Sequence, residues 1–144
     1  MKALEYETIA SQIEDWLREK SQVVLATTDG KRVSARTVYY FSERLKVYFV
    51  TSKAYNKYEQ IQKNPYVALC MNNIQIEGIA VEKGHPLSEE NKEIIGLVDE
   101  QSAIYSFFKY RNTVLFEVAI SNVEMWIDGQ RLFLDVAKKE CFMK

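Results

Sequence analysis

The first twenty residues carry their apolar side chains at the spacing of one helical face. Ile9, Ile13, Trp16 and Leu17 recur every three or four positions, so that they fall on one stripe of an α-helix. The pattern predicts an amphipathic helix over residues 6–20.

Beyond residue 22 the hydrophobic pattern becomes that of β-strands, with short β-branched and aromatic runs between turn signals. Strands are predicted over residues 23–27, 33–41, 45–51, 67–71, 75–81, 113–120, 123–127 and 131–136. Asp29-Gly30 and Asp128-Gly129 are typical of tight hairpin turns. Two helical regions interrupt the strands, over residues 54–63 and 88–108, and the first must end before Pro65.

Strands that follow one another in hairpin-sized steps favour an antiparallel sheet, because parallel neighbours need a long crossover. The expected fold is mainly β, an antiparallel β-barrel with peripheral α-helices. A length of 144 residues predicts one domain over residues 1–144. The sequence contains neither a glycine-rich dinucleotide fingerprint nor a Walker-type loop, which argues against nucleotide binding by those routes.

Composition narrows the classes of function. A net charge of −1 offers no basic excess for nucleic acid. No apolar run is long enough to span a bilayer, and residues 1–5 do not resemble a signal peptide, so we expect a cytoplasmic protein without a membrane partner. His85 is the single histidine, and Cys70 and Cys141 lack metal-ligand spacing. Cys70 lies in an apolar run and is expected to be buried. Because the chain offers so few histidine and cysteine side chains for catalysis, we expect any chemistry to come from a bound cofactor.

One segment predicts an anion site before any family is considered. A strand ending in Thr51-Ser52 leads within a few residues into a predicted helix, whose first turn offers unpaired N–H groups and a positive dipole end. Lys57 lies early in that helix, so its side chain can lean back toward the same end. Arg36 on an earlier strand can add a bidentate clamp on a phosphate.

Several separated blocks resemble one family. They are residues 47–51 (VYFVT), 57–69 (KYEQIQKNPYVAL), 74–80 (IQIEGIA), and 123–126 (VEMW) followed by Arg131-Leu132. Together they are similar to the pyridoxamine 5′-phosphate oxidase-like, FMN-binding split-barrel proteins, especially the small bacterial general-stress-protein branch. The resemblance extends from residue 23 to about residue 136, and it implies an antiparallel split barrel.

The resemblance also implies that FMN lies in a groove between the two subunits of a homodimer. Arg36 resembles the arginine that opens the first flavin-binding strand, with Thr37 and Val38 running beside the ring system. Val50 and Thr51 resemble the pair of residues that contacts the flavin through backbone groups and a side-chain hydroxyl. Two of these residues have a structural alternative, since Arg36 could point to solvent and Thr51 could merely end a strand.

Other positions match the family at the phosphate. Lys57 resembles the phosphate-binding lysine, although it could instead belong to a solvated helix face. Asn56 stands where many relatives carry arginine, which implies a weaker phosphate clamp. Ser52 adds a hydroxyl beside them, or caps the helix. Gln75 resembles a glutamine that reaches the flavin from the other subunit, although it alternates with Glu77 on one strand face and could simply be exposed.

The C-terminal part of the match departs from the oxidase that names the family. Trp126 resembles the tryptophan near the flavin edge, with burial in the core as its alternative. Arg131 matches an arginine that helps to bind the substrate phosphate, but Phe133 occupies the place of its histidine partner. The loop from Trp126 to Arg131 is also shortened. We therefore do not expect pyridoxamine phosphate oxidation, because the phosphate of that substrate would lack a hydrogen-bonding or cationic partner.

Three functions follow from the resemblance. The leading expectation is an FMN-dependent oxidoreductase of unknown substrate, with a nicotinamide cofactor as candidate electron donor. The first alternative is a non-catalytic, stress-related flavin binder. The second keeps the barrel and replaces FMN with haem or the deazaflavin F420.

Overall fold

The computed structural model describes residues 2–143, and the side chains of residues 5–143. The helices are α1 Tyr6–Glu19, α2 Asn56–Lys63 and α3 Lys92–Ile95, with short 3₁₀ turns at Glu89–Asn91 and Ile104–Phe107. The strands are β1 Lys2–Leu4, β2 Gln22–Thr28, β3 Val33–Tyr39, β4 Phe41–Glu43, β5 Lys46–Ser52, β6 Tyr66–Met71, β7 Ile74–Glu82, β8 Thr113–Ile127, β9 Gln130–Asp135 and β10 Glu140–Met143. None of the helices is long and apolar enough to cross a membrane within this described part.

All strand pairs of the described chain are antiparallel, as expected. The strands follow the order β1-β10-β9-β8-β7-β6-β2-β3, and β5 joins β8 with β4 at its side. Strand β8 spans 15 residues, and it pairs with β5 along its first half and with β9 along its second. The sheet therefore curls into a half-barrel, which confirms the antiparallel split-barrel architecture predicted from the sequence.

The concave side of the sheet holds the core. The rings of Phe49 on β5 and Phe116 on β8 stack with their centroids 5.3 Å apart, and both side chains are fully buried. From α1, Ile13 and Leu17 are buried in the same cluster. Burial of each such side chain stabilises the fold by about 1.5–3 kcal/mol, so this helix and the curled sheet form one core.

The opposite side of β2, β6 and β7 carries apolar side chains that remain exposed. Cross-strand register places Val24 beside Cys70 and Ala26 beside Ala68, and Ile79 follows on the next strand. We call this surface the outer face. Exposed Cys70 lies on it, so the expectation of a buried Cys70 was wrong, because the strand alternation turns this side chain away from the core.

The predicted strands 113–120 and 123–127 form one continuous strand, β8. Ser121 and Asn122 do not make a turn, because the ladder to β7 continues past them through a register shift between Glu77 and Gly78. A Cβ atom at Gly78 would lie 2.7 Å from the carbonyl oxygen of Ala119. The absence of a side chain at Gly78 therefore permits the close approach of the two strands.

Other element boundaries also differ from the prediction. The strand predicted over residues 33–41 breaks at Tyr40, whose hydroxyl donates to the Leu17 carbonyl at 2.7 Å and draws the ring into the core. The helical region predicted over residues 88–108 consists only of α3 and the two 3₁₀ turns. Strands β1 and β10 were not predicted, since they are short and lie near the two ends of the chain, where β10 pairs with both β1 and β9.

Candidate functional site

The barrel is split between β3 and β5. Strand β3 pairs only with β2 in the described chain, and β4 covers only the first residues of β5, up to Tyr48. The last residues of β5 therefore present backbone N–H and C=O groups toward β3, and such groups need partners. A cavity of about 770 Å³ lies at this split.

Six of the residues predicted for cofactor binding line this cavity. They are Thr37, Val38, Val50, Thr51, Ser52 and Lys57. Five residues of this set lie on β3 and β5, with Ser52 as the last residue of β5, and Lys57 lies in the first turn of α2. The fold thus brings together residues that are up to twenty positions apart in sequence.

Lys57 lines the α2 end of the cavity, and a second cation, Arg36, lies near it. Lys57 lies with its Nζ 4.9 Å from the centre of the Tyr55 ring. Arg36 does not line the cavity, but it is close enough to act on Lys57 electrostatically. Burial, and then the charge of Arg36, lowers the pKa of Lys57 below its usual value. In the described part of the chain no carboxylate forms a salt bridge with either residue.

The turn from β5 into α2 is built by Ser52. Its hydroxyl accepts a hydrogen bond from the N–H of Ala54 at 3.2 Å, and its carbonyl accepts one from the N–H of Tyr55 at 3.1 Å. The helix begins at Asn56 with Tyr55 in the N-cap position, so the expectations of a helix from residue 54 and of Ser52 as its cap were wrong. Ser52 instead shapes the turn that places Lys57.

An aromatic wall closes the other side of the cavity. Tyr39 and Phe107 stack with their ring centroids 6.2 Å apart, and both line the cavity with Tyr110 and Arg111. His85 holds this wall in place. The N–H of Leu87 donates to its Nδ1 at 3.0 Å, so its Nε2 carries the hydrogen and donates it to the Tyr110 carbonyl at 2.8 Å.

Besides Arg36, four predicted site residues lie away from the cavity lining. Asn56 is exposed at the start of α2. Gln75 is exposed on β7, between Cys70 of β6 and Glu124 of β8. Trp126 is 47% exposed and borders a separate, smaller cavity of about 480 Å³ beside α1, and the fourth residue is Arg131.

Arg131 is already engaged by its neighbours. Its guanidinium forms a hydrogen-bonded ion pair with Glu124. It also lies 5.6 Å from the Trp126 ring centre and 4.9 Å from that of Phe133. With its charge compensated by a carboxylate, Arg131 is poorly disposed to bind a phosphate.

Several cavity residues were missed by sequence reasoning. They are Gln22, Tyr39, Tyr55, Ile104, Phe107, Tyr110, Arg111, Asn112 and Thr113. Most lie between residues 104 and 113, where short 3₁₀ turns give no periodic signal. Only the apolar and aromatic content of that loop, next to a basic residue, could have indicated a binding wall.

The chain belongs to the pyridoxamine 5′-phosphate oxidase family. The model of that family matches residues 9–127, which include both edges of the split and the whole cavity lining. No curated protein sequence matches the chain.

Solved structures of similar fold confirm the architecture. General stress protein 26 from Bacillus anthracis is 18% identical, with a TM-score of 0.69 over 89% of this chain and 98% of that one. A protein described as FAD-binding from Mesorhizobium loti is 17% identical, with a TM-score of 0.64 over 85% and 92%. HutZ from Vibrio cholerae, described as a heme storage protein, is 15% identical, with a TM-score of 0.62 over 76% and 88%. At these identities the likeness shows the fold alone.

The proximity of Arg36 to Lys57 gives a first testable prediction. We expect the Lys57 amine to titrate below 10.5, measured by competitive acylation and mass spectrometry across an alkaline pH series. Arg36→Gln should raise this midpoint part of the way back, because it removes the charge repulsion and leaves the burial. A midpoint at 10.5 or above, or one that does not respond to the substitution, would contradict the described geometry.

Proposed function

We propose that this protein binds FMN at the split between β3 and β5 and acts as an FMN-dependent oxidoreductase. The observation that supports this most strongly is the pair Arg36 and Lys57, two partly buried cations without a carboxylate partner among the described residues. Partly buried cations without a counter-charge are costly. A dianionic phosphate ester at this end of the cavity would compensate both.

The rest of the cavity fits a flavin as well. Val38 and Val50 offer apolar contacts on either side of the split, and the open strand edges offer backbone donors and acceptors for a polar ring edge. FMN, when bound, supplies hydride and electron transfer. The protein's own residues would hold the phosphate, orient the ring and shield it behind Tyr39 and Phe107.

Haem is the less favoured ligand for this cavity. The single histidine, His85, uses both ring nitrogens to hold the Tyr110 loop. Neither cysteine lines the cavity, since Cys70 lies on the outer face and Cys141 is buried beside β9. The likeness to a heme storage protein therefore supports the shared barrel more than a shared ligand.

Pyridoxamine phosphate oxidation is not the proposed activity. A second phosphate would need the cationic group of Arg131, which Glu124 already neutralises. Phe133 adds an apolar ring where the family's oxidase has a hydrogen-bonding partner. We instead propose an undefined oxidisable substrate, with a nicotinamide cofactor as electron donor.

A homodimer through the outer face completes the proposal. This face exposes Val24, Ile79 and Tyr66 with relative exposures of 39%, 38% and 66%, and an apolar sheet face of this kind favours association. Gln75 lies on the same face, so its predicted contact with the flavin requires the partner subunit. A cytoplasmic location remains a part of the proposal.

The proposed phosphate clamp is tested by comparing two lysines of the same helix. The protein should show flavin absorption bands when FMN is bound. Lys57→Gln should weaken FMN binding by roughly tenfold to a hundredfold, since hydrogen bonds to charged groups contribute about 1.5–3 kcal/mol. Riboflavin affinity should change little. Exposed Lys63→Gln is the matched control, and equal effects of the two substitutions on FMN binding would refute the clamp.

Turnover separates an enzyme from a flavin carrier. With FMN bound under anaerobic conditions, we expect NADH or NADPH to bleach the flavin absorption within seconds to minutes, since a functional donor must reduce the ring. Free FMN at the same concentration is the control for uncatalysed reduction. A protein that binds FMN tightly but reduces it no faster than free solution would favour the non-catalytic alternative.

The dimer is tested at the centre of the outer face. Ala68→Glu places a carboxylate beside Ala26 and Glu77, so we expect it to produce monomers in size-exclusion chromatography with light scattering, and to weaken FMN binding. Lys31→Glu, at the tip of the β2–β3 turn, is the control that should remain dimeric. A wild-type protein that is monomeric while saturated with FMN would contradict the proposal.

A further inference from the structure

A chain of hydrogen-bonded polar side chains lies beside Arg36, which together with Lys57 forms what we call the cationic corner. Thr27 on β2 and Gln60 on α2 have relative exposures of 1% and 8%. The Thr27 hydroxyl donates to Gln60 Oε1 at 2.6 Å, and Gln60 Nε2 donates to the Ser34 hydroxyl at 3.3 Å. Arg36 Nη1 donates to the Thr27 hydroxyl oxygen at 2.8 Å. Two strands and one helix thus share a single hydrogen-bonded chain.

The direction of each hydrogen bond is fixed by chemistry. A guanidinium can only donate, so Thr27 must accept from Arg36 and use its own hydrogen for Gln60. That requirement turns the Gln60 amide so that its oxygen faces Thr27 and its nitrogen faces Ser34. Each buried polar atom of the chain then has a partner, which is the condition for such a network to be stable.

The same chain orients Arg36. Among the described residues, Arg36 donates hydrogen bonds to the Thr27 hydroxyl and, at 3.2 Å, to the Leu25 carbonyl. Both of these bonds use Nη1. The Nη2 and Nε hydrogens therefore remain available for an anion. Since both acceptors are neutral, they fix the guanidinium without cancelling its charge, as a carboxylate would.

Gln60 also connects the two cations. It lies three positions after Lys57 on α2, and residues with this spacing lie on neighbouring parts of one helix face. The bond from Gln60 to Thr27 therefore ties the helix that carries Lys57 to the acceptor that holds Arg36. Without this tie, mutual repulsion would favour separation of the two charges.

We propose that Thr27 and Gln60 are positioning residues that hold Arg36 and Lys57 at phosphate-binding distance and so make the site select FMN over riboflavin. This inference rests on the proposed FMN function. It assigns the discrimination between phosphorylated and unphosphorylated flavin to two buried residues that need not touch the ligand.

The test is the ratio of the dissociation constants for riboflavin and FMN. Thr27→Val keeps the side-chain volume and removes the acceptor of Arg36, so we expect this ratio to fall about tenfold. Gln60→Leu should lower it in the same direction. Thr27→Ser keeps the hydroxyl and should retain the wild-type ratio. Ile61→Val, a buried change on the same helix, controls for general destabilisation, which would weaken both ligands alike.

The measured affinities for FMN and riboflavin distinguish a failure of the positioning role from a failure of the proposed FMN function. A wild-type protein that binds neither flavin overturns both proposals. One that binds FMN and riboflavin equally overturns the selectivity for the phosphate, and with it this inference, but not FMN binding. Selective FMN binding by the wild type with an unchanged ratio in Thr27→Val and Gln60→Leu overturns only the positioning role.

A second measurement on the unaltered protein covers the case in which these variants fail to fold. Nitrogen-15 NMR of the ligand-free wild type should show slow guanidinium rotation for Arg36 and fast averaging for exposed Arg32. Equal averaging of the two would also overturn the positioning role.

Discussion

The organising constraint of this structure is the close placement of two like charges, Arg36 and Lys57, in a partly buried corner. Burial disfavours each charged form, and their proximity adds repulsion. Such an arrangement persists only where rigid surroundings hold it, and it becomes favourable when an anion arrives. The fold supplies that rigidity through three elements that meet at the corner, β2, β3 and α2.

The split of the barrel follows from how the strands are paired. Strand β8 is long enough to serve two neighbours along one edge, so β5 is held on β8 while β3 is held on β2 at the other end of the sheet. The two strands face one another without a ladder between them. A planar ligand with a charged tail suits this gap, because the open strand edges can form hydrogen bonds with the ring while the cations bind the tail.

Much of this could be predicted from the sequence. The alternating runs and the Asp-Gly turns indicated an antiparallel barrel, and local motifs placed Thr51, Ser52 and Lys57 together at one helix entrance. Long-range features could not be obtained this way. The continuity of β8 depends on the absent side chain of Gly78 opposite Ala119, and the aromatic wall depends on His85 holding a loop of 3₁₀ turns. The engagement of Arg131 by Glu124 arises from strand register, which a linear pattern does not specify.

Binding of a phosphate dianion at the corner formed by Arg36 and Lys57 is the proposal from which the others follow. Phosphorus-31 NMR of FMN bound to the protein tests it most directly, because free phosphate monoesters take up their second proton near pH 6. We expect the bound phosphate to stay dianionic, with a constant chemical shift, to well below that pH. A bound FMN whose phosphate titrates as it does in free solution would show that the two cations do not bind it.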